Sequence, residues 1–270
     1  MNKKSSMTTD KHFSFGKNWK NFSKKIDSTS IKKSVDNLKI LLGNLENKSF
    51  LDIGSGSGLH SLAALHLGAK SIVSTDYDID SVNTTRKVLH ENISGKMHKN
   101  IVVVQDDILN TKLSQKFDIV YSWGVLHHTG DMWKAIDNAS KLVKDDGVLF
   151  ISIYVKNQFC GLWKKIKKMY TYGNLFTKLL MCTIWIPLHL IRKILNGSIF
   201  KAQDRGMVWF NDSLDWLGGY PYESATKEEI ISYLEVKGFR ILKAKNTKPS
   251  IGIFGSGCAE YLFTKNYKVE

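Results

Sequence analysis

Phe50-Leu51-Asp52-Ile53-Gly54-Ser55-Gly56-Ser57-Gly58-Leu59-His60 is the stretch on which the rest of the chain turns. An apolar run stops at three glycines on alternate positions, and apolar residues resume at Leu62, Ala63, Ala64 and Leu65. The first part predicts a short buried strand and the last a helix. Glycine between them permits positive φ and lets a ligand lie against bare backbone at the helix N-terminus. A dinucleotide fingerprint, G-x-G-x-x-G, would set a pyrophosphate there. The spacing here is Asp-x-Gly-x-Gly-x-Gly, with an acid two positions before the first glycine.

Further apolar runs follow in order. Ser71-Ile72-Val73-Ser74-Thr75-Asp76 ends in an acid 22 positions after Gly54, where a βαβ unit brings the end of a second strand beside the glycine turn. Ile101-Val102-Val103-Val104-Gln105 leads to Asp106-Asp107-Ile108, and Phe117-Asp118-Ile119-Val120-Tyr121 runs into Ser122-Trp123-Gly124-Val125-Leu126-His127-His128-Thr129-Gly130-Asp131. Gly147 to Ile153 is a fifth run. Strands alternating with helical stretches predict an α/β fold with a parallel sheet.

The glycine turn and the ordered runs resemble the class I S-adenosylmethionine-dependent methyltransferases over residues 48–154 by motif and 224–266 by element order. The resemblance implies a Rossmann-like, seven-stranded, mostly parallel sheet whose last strand is antiparallel, with S-adenosyl-L-methionine as cofactor. It implies that Gly54, Ser55, Gly56 and Gly58 bound the methionine part of the cofactor, and that Asp52 helps hold its amino group. Asp76, with Tyr77 beside it, would take the ribose hydroxyls. Asp106, Asp107 and Ile108 would meet the adenine, with Asp107 favoured for its amino group, and Ser122 and Trp123 complete the set. Phe15 to Trp19, Tyr121 to Trp133 and Asp215 to Pro221 look like a bacterial small-molecule subgroup, ubiquinone-biosynthesis-like and surface-polysaccharide-associated. The chain departs from it at Lys144-Asp145-Asp146-Gly147, where the family has Lys-Pro-Gly-Gly.

Methyl transfer from a sulfonium runs in line, so acceptor alignment and water exclusion are needed, and a hydroxyl acceptor must also lose its proton. His127 and His128 follow the fourth strand, and imidazole has a suitable pKa. Related enzymes carry a histidine three residues before an aspartate here, which maps to His128. Trp19, Arg205, Tyr220 and Glu260 are candidate acceptor contacts. The expected activity is O-methylation of a small, polar, anionic acceptor of surface-polysaccharide or capsule biosynthesis. A quinone or lipid precursor at the membrane edge, or tRNA, is the alternative.

Four segments are expected: an N-terminal flap and helix (1–47), a cofactor-binding core (48–154), a helical and loop insertion capping the substrate (155–223), and a C-terminal helix with a closing hairpin (224–270). The flap is read from the aromatics between Phe13 and Phe22, and its helix from Ile31, Val35, Leu38 and Leu42 at helical spacing. The insertion carries a basic cluster at Lys164-Lys165-Ile166-Lys167-Lys168. It then carries an apolar stretch from Leu179 to Ile191, interrupted by Pro187 and shorter than the roughly 20 residues that span a bilayer. Residues 162–193 therefore read as a cap with peripheral membrane contact open to it.

The net charge of +14 and pI of about 9.5 suit anionic partners. No nucleic-acid-binding module is visible, so a small-molecule acceptor is expected. The three cysteines, Cys160, Cys182 and Cys258, are widely spaced and fit a reducing compartment without bound metal. No apolar segment follows the charged start, so the protein is expected to be cytoplasmic, with the inner face of the membrane as its one other location. Oligomeric state is not set by the sequence.

Overall fold

The computed structural model describes residues 26–93, 100–195 and 209–265, together with Gly16, Trp19 and Ser23. Among these, seven strands form one sheet: β1 (Ser49–Ile53), β2 (Ser71–Asp76), β3 (Ile101–Gln105), β4 (Phe117–Trp123), β5 (Val143–Tyr154), β6 (Phe239–Lys245) and β7 (Cys258–Lys265). Their order is β3-β2-β1-β4-β5-β7-β6. β1 to β5 pair in parallel, and β7 runs antiparallel to both β5 and β6. This is the expected Rossmann-like sheet with its last strand reversed.

Strand side chains alternate between faces, and two cores result. Phe50, Ile72, Ile119 and Phe150 pack under α1 (Ser28–Leu42), α2 (Leu59–His66) and α3 (Ile79–Asn92). Leu51, Val73, Val120 and Leu149 face the other way, toward α4 (Met132–Lys141) and α8 (Lys227–Glu235). In α1, Leu38 is buried and Ile31, Val35 and Leu42 pack beside it, as their spacing predicts. α8 opens with a capping box at Thr226-Lys227-Glu228-Glu229, the Thr226 hydroxyl and the Glu229 carboxylate each accepting the other's backbone N–H. Asp146, where the family pattern has glycine, sits at φ 59°, a conformation aspartate tolerates.

Asp118 ties the starts of two strands together. Its carboxylate accepts from the Ser49 N–H (2.8 Å), the Ser49 hydroxyl (2.5 Å) and the Lys144 ammonium (2.9 Å). Burial alone would raise its pKa, but these donors outweigh it and hold the group down to about 2. A depressed carboxylate stabilises the fold above its unfolded pKa of about 3.9, and that contribution fades as pH falls toward 2. Asp118→Asn is therefore expected to lose about 1–2 kcal/mol at neutral pH in urea unfolding, with the gap to the parent narrowing steadily below pH ~4. An equal gap at both pH values would remove the carboxylate from this role.

The insertion leaves and rejoins the sheet at one point. Val155 and Ala225 form a parallel bridge, the Ala225 N–H donating to Tyr154 O (3.1 Å) and the Lys156 N–H to Ala225 O (3.0 Å). Between them lie α5 (Cys160–Tyr172), α6 (Leu175–Leu195) and α7 (Trp209–Gly218), gathered on a third cluster of Trp163, Tyr170, Trp185, Trp216, Leu217 and Tyr222. Two details differ from the sequence reading. The apolar stretch is not a 13-residue segment but part of a 21-residue helix that continues through Pro187, which lies on the exposed side. Nor is the basic cluster uniform: helical rotation exposes Lys164, Lys165 and Lys168 but turns Lys167 inward. Lys167 is fully buried, its ammonium donating to Trp216 O and lying 3.7 Å from the centre of the Trp216 ring.

Candidate active site

The carboxyl ends of β1 to β5 share one edge of the sheet, and the order reverses between β1 and β4, which is where ligands bind in open α/β sheets. Gly54, Gly56 and Gly58 have φ of 76°, 55° and 78°, so the turn between β1 and α2 needs the freedom glycine has. A Cβ on Gly54 would stand 2.3 Å from Val125 Cγ2, and one on Gly56 2.9 Å from the Trp19 ring.

The hydrogen bonds of the turn indicate what it can hold. The Gly54 and Ser55 N–H groups both donate to Thr75 O (2.8 and 2.9 Å), Gly58 N–H donates to Ser55 O (2.8 Å), and Gly56 N–H donates to Asp76 Oδ2 (2.9 Å). These four donors are committed within the fold, and a carboxylate points into the turn. That is a poor nest for pyrophosphate and a good one for a ligand bearing positive charge and hydroxyl donors. Burial and the neighbouring Asp78 lift Asp76 to about 6, against the pull of its backbone donors. Asp52 is deeper: burial first, then the Asp76 charge, push it up to about 7, and its Oδ2 accepts from Ser61 Oγ (2.6 Å), which also meets Ser74 Oγ (2.7 Å). So concentrated an acidic group in a chain of net charge +14 fits a cationic ligand, and the residues present therefore suit S-adenosylmethionine.

Other expected cofactor residues are placed as follows. Ser55 Oγ meets Thr85 Oγ1 (2.9 Å), and Ser122 Oγ donates to Ile53 O (3.1 Å), so both hydroxyls brace the turn. Tyr77 is exposed, and its carbonyl accepts from Gln105 Nε2 (2.9 Å). Asp106 accepts from Thr111 Oγ1 (2.5 Å), while Asp107 caps the short turn Ile108–Asn110 through the Leu109 N–H (2.9 Å). Ile108 is buried in the core. Trp123 Nε1 donates to Glu260 Oε1 (3.1 Å), which links the end of β4 to β7.

His127 and His128 lie on the turn Leu126–His128, directly after β4. His127 is fully buried with its ring 4.4 Å from that of His128 and 4.0 Å from that of Tyr154. His128 Nδ1 lies 2.7 Å from Pro221 O. A carbonyl only accepts, so Nδ1 carries the proton and Nε2 is the basic nitrogen. Glu223, raised by burial, accepts from the Met132 N–H at the start of α4 (2.8 Å), while its own N–H donates to His127 O (3.0 Å). The segment returning from the insertion thus grips the histidine turn at both residues. No local pattern ties Pro221 to a histidine 93 positions away, so the sequence carries no signal for this contact.

Trp19 lies against Gly56, and the Gly16 N–H donates to Asp78 Oδ2 (3.1 Å), so this part of the N-terminal segment rests on the cofactor turn. Tyr220 is buried with its ring against Tyr172 and is not an open acceptor contact. Arg205 and Phe15 fall outside the described residues.

Fold and site together define a class I S-adenosylmethionine-dependent methyltransferase. The family model for ribosomal protein L11 methyltransferase (PrmA) matches residues 31–186, more than half of the chain, and the chain belongs to that family. It is 30% identical over 158 residues to the ribosomal protein L11 methyltransferase of Streptococcus pneumoniae, covering 57% of this chain and 42% of that one. It is also 31% identical over 114 residues to the mitochondrial ubiquinone biosynthesis O-methyltransferase of Dictyostelium discoideum, covering 40% and 36%. The match thus spans less than half the length of these relatives. Among solved structures, magnesium protoporphyrin IX methyltransferase from Synechocystis with bound S-adenosylhomocysteine superposes with a TM-score of 0.52 at 18% identity, covering 88% and 84%.

Proposed function

We propose that the protein transfers the methyl group of S-adenosylmethionine to a hydroxyl oxygen of a small acceptor, with His128 taking the hydroxyl proton. The observation that supports this reading is the hydrogen bond from His128 Nδ1 to Pro221 O, which leaves Nε2 as the unprotonated nitrogen on a turn at the ligand-binding edge of the sheet. When bound, the cofactor supplies an electrophilic methyl on a sulfonium. The glycine turn receives its methionine part, Asp76 accepts from the ribose hydroxyls, and Asp107 lies on the adenine side. The N-terminal segment, with Trp19, excludes water.

The acceptor we infer is a hydroxylated ring. Trp123, Tyr154 and His128 put partly exposed aromatic surface beyond β4 and β5, which suits stacking. Relatives whose names specify O-methylation in ubiquinone biosynthesis support it. A glycan or nucleotide sugar of surface polysaccharide is the second reading, favoured by the net charge of +14. Incubation with methyl-labelled cofactor and separate pools of hydroxylated quinone precursors, nucleotide sugars, tRNA and ribosomal protein L11 tests it. Label in the quinone precursors, stable to base as an ether, is expected. Label confined to L11 or tRNA would overturn O-methylation of a small acceptor.

A further inference from the structure

Helix α6 is apolar on its inner face and over most of its outer one. Its inner face is aromatic, with Trp185 and His189 buried against the insertion cluster. Its outer face presents Leu175, Phe176, Leu179, Ile184, Leu188 and Ile191, all exposed, the first two by 73% each. A helix already packed by one face that still exposes an extended apolar stripe on the other presents a contact surface. At 21 residues the helix is about 30 Å long, so the stripe is extended.

Charge decides what covers it. From Gly147 to Gln203 the sequence contains no aspartate or glutamate, whereas Lys156, Lys164, Lys165, Lys167, Lys168, Lys178, Arg192, Lys193 and Lys201 all fall there. Lys164, Lys165 and Lys168 are exposed on α5, which packs beside α6, and Leu162 and Met169 are exposed on either side of them in the chain. A second copy of the chain would bring one acid-free basic surface against another, which like-charge repulsion opposes. An anionic bilayer surface matches both properties, receiving the apolar stripe among its acyl chains and the lysines among its headgroups. No described helix is long and apolar enough to cross a membrane, so α6 would lie along the surface.

We propose that the outward face of α5 and α6 docks on an anionic lipid surface. This stands on the exposed face and its charge and does not depend on the identity of the acceptor. The full chain is mixed with vesicles of phosphatidylcholine alone or of phosphatidylcholine with an equal part of phosphatidylglycerol, and flotation is read without acceptor or turnover. The parent is expected to float with the anionic vesicles and to stay behind with the neutral ones, and to detach as salt is raised. Lys165→Glu with Lys168→Glu, and separately Leu179→Ser with Ile184→Ser, should each lower partitioning by about tenfold or more. Cofactor binding by the same variants, measured by calorimetry, should match the parent and so certify their fold. Failure of the parent to float, equal flotation of both variants, or concentration-dependent self-association through this face in the absence of lipid would overturn the proposal.

Discussion

Replacing His128 by alanine is expected to lower kcat by about 10² to 10⁴ while leaving S-adenosylmethionine affinity within about threefold. The range is that of a positioned general base, and the position comes from Pro221, whose carbonyl holds Nδ1 at 2.7 Å. Because Nε2 must be unprotonated to act, the parent's kcat should rise with pH, and the variant should lack that rise. His127→Ala should behave differently. His127 is fully buried against Tyr154, so its loss should be felt mainly in stability and only secondarily in turnover. Full turnover in His128→Ala at neutral pH would place the base elsewhere, with Glu260 the next residue to replace.

The second large effect concerns the glycine turn. Gly56→Val should abolish measurable cofactor binding, because φ at that position is 55° and a side chain there would enter the space against Trp19. Asp76→Ala should weaken binding by at least about 30-fold. It removes charge-assisted acceptors worth roughly 1.5–3 kcal/mol each, and also releases the Gly56 and Asp78 N–H groups that the carboxylate holds. With its pKa lifted to about 6, Asp76 loses its charge as pH falls through that value, so cofactor affinity in the parent should decline there. The sign for stability is opposite: a carboxyl raised on folding costs stability as pH rises from about 4 to 6, and that cost is constant above. Calorimetry across pH reads the first, and circular dichroism of both variants certifies the fold. Parent-like binding by both variants would displace the cofactor from this turn.

Much of this was legible because it is local. The Phe50-to-Gly58 run, the acid ending β2 and the capping box at Thr226 each declare themselves within a few residues, and the order of strands then follows from the handedness and length of the crossovers. What escaped was long-range. The ring of His128 is held by a carbonyl supplied by Pro221, and the Glu223 carboxylate caps α4 across the same gap. The basic cluster at Lys164-Lys165-Ile166-Lys167-Lys168 is legible, but the burial of Lys167 among Trp216 and Tyr222 is not, because those rings arrive from beyond α6 in the chain. Pro187 lies inside α6, where a lost backbone bond and a crowded preceding turn cost roughly 3 kcal/mol, set against the aromatic burial on the opposite face.

The bridge between Val155 and Ala225 has one more consequence. Because the excursion of some 70 residues begins and ends at adjacent backbone positions, the sheet experiences it as a closed loop, and loop-closure entropy grows only by about 0.6 kcal/mol for each doubling of length. Natural variation can therefore lengthen, shorten or exchange that excursion without unravelling the cofactor half. The constraint on such exchange is narrow. Any replacement must return through a residue able to present a carbonyl to His128 and another able to hold the head of α4, so Pro221 and Glu223 are the two positions at which such an exchange is anchored to the histidine turn.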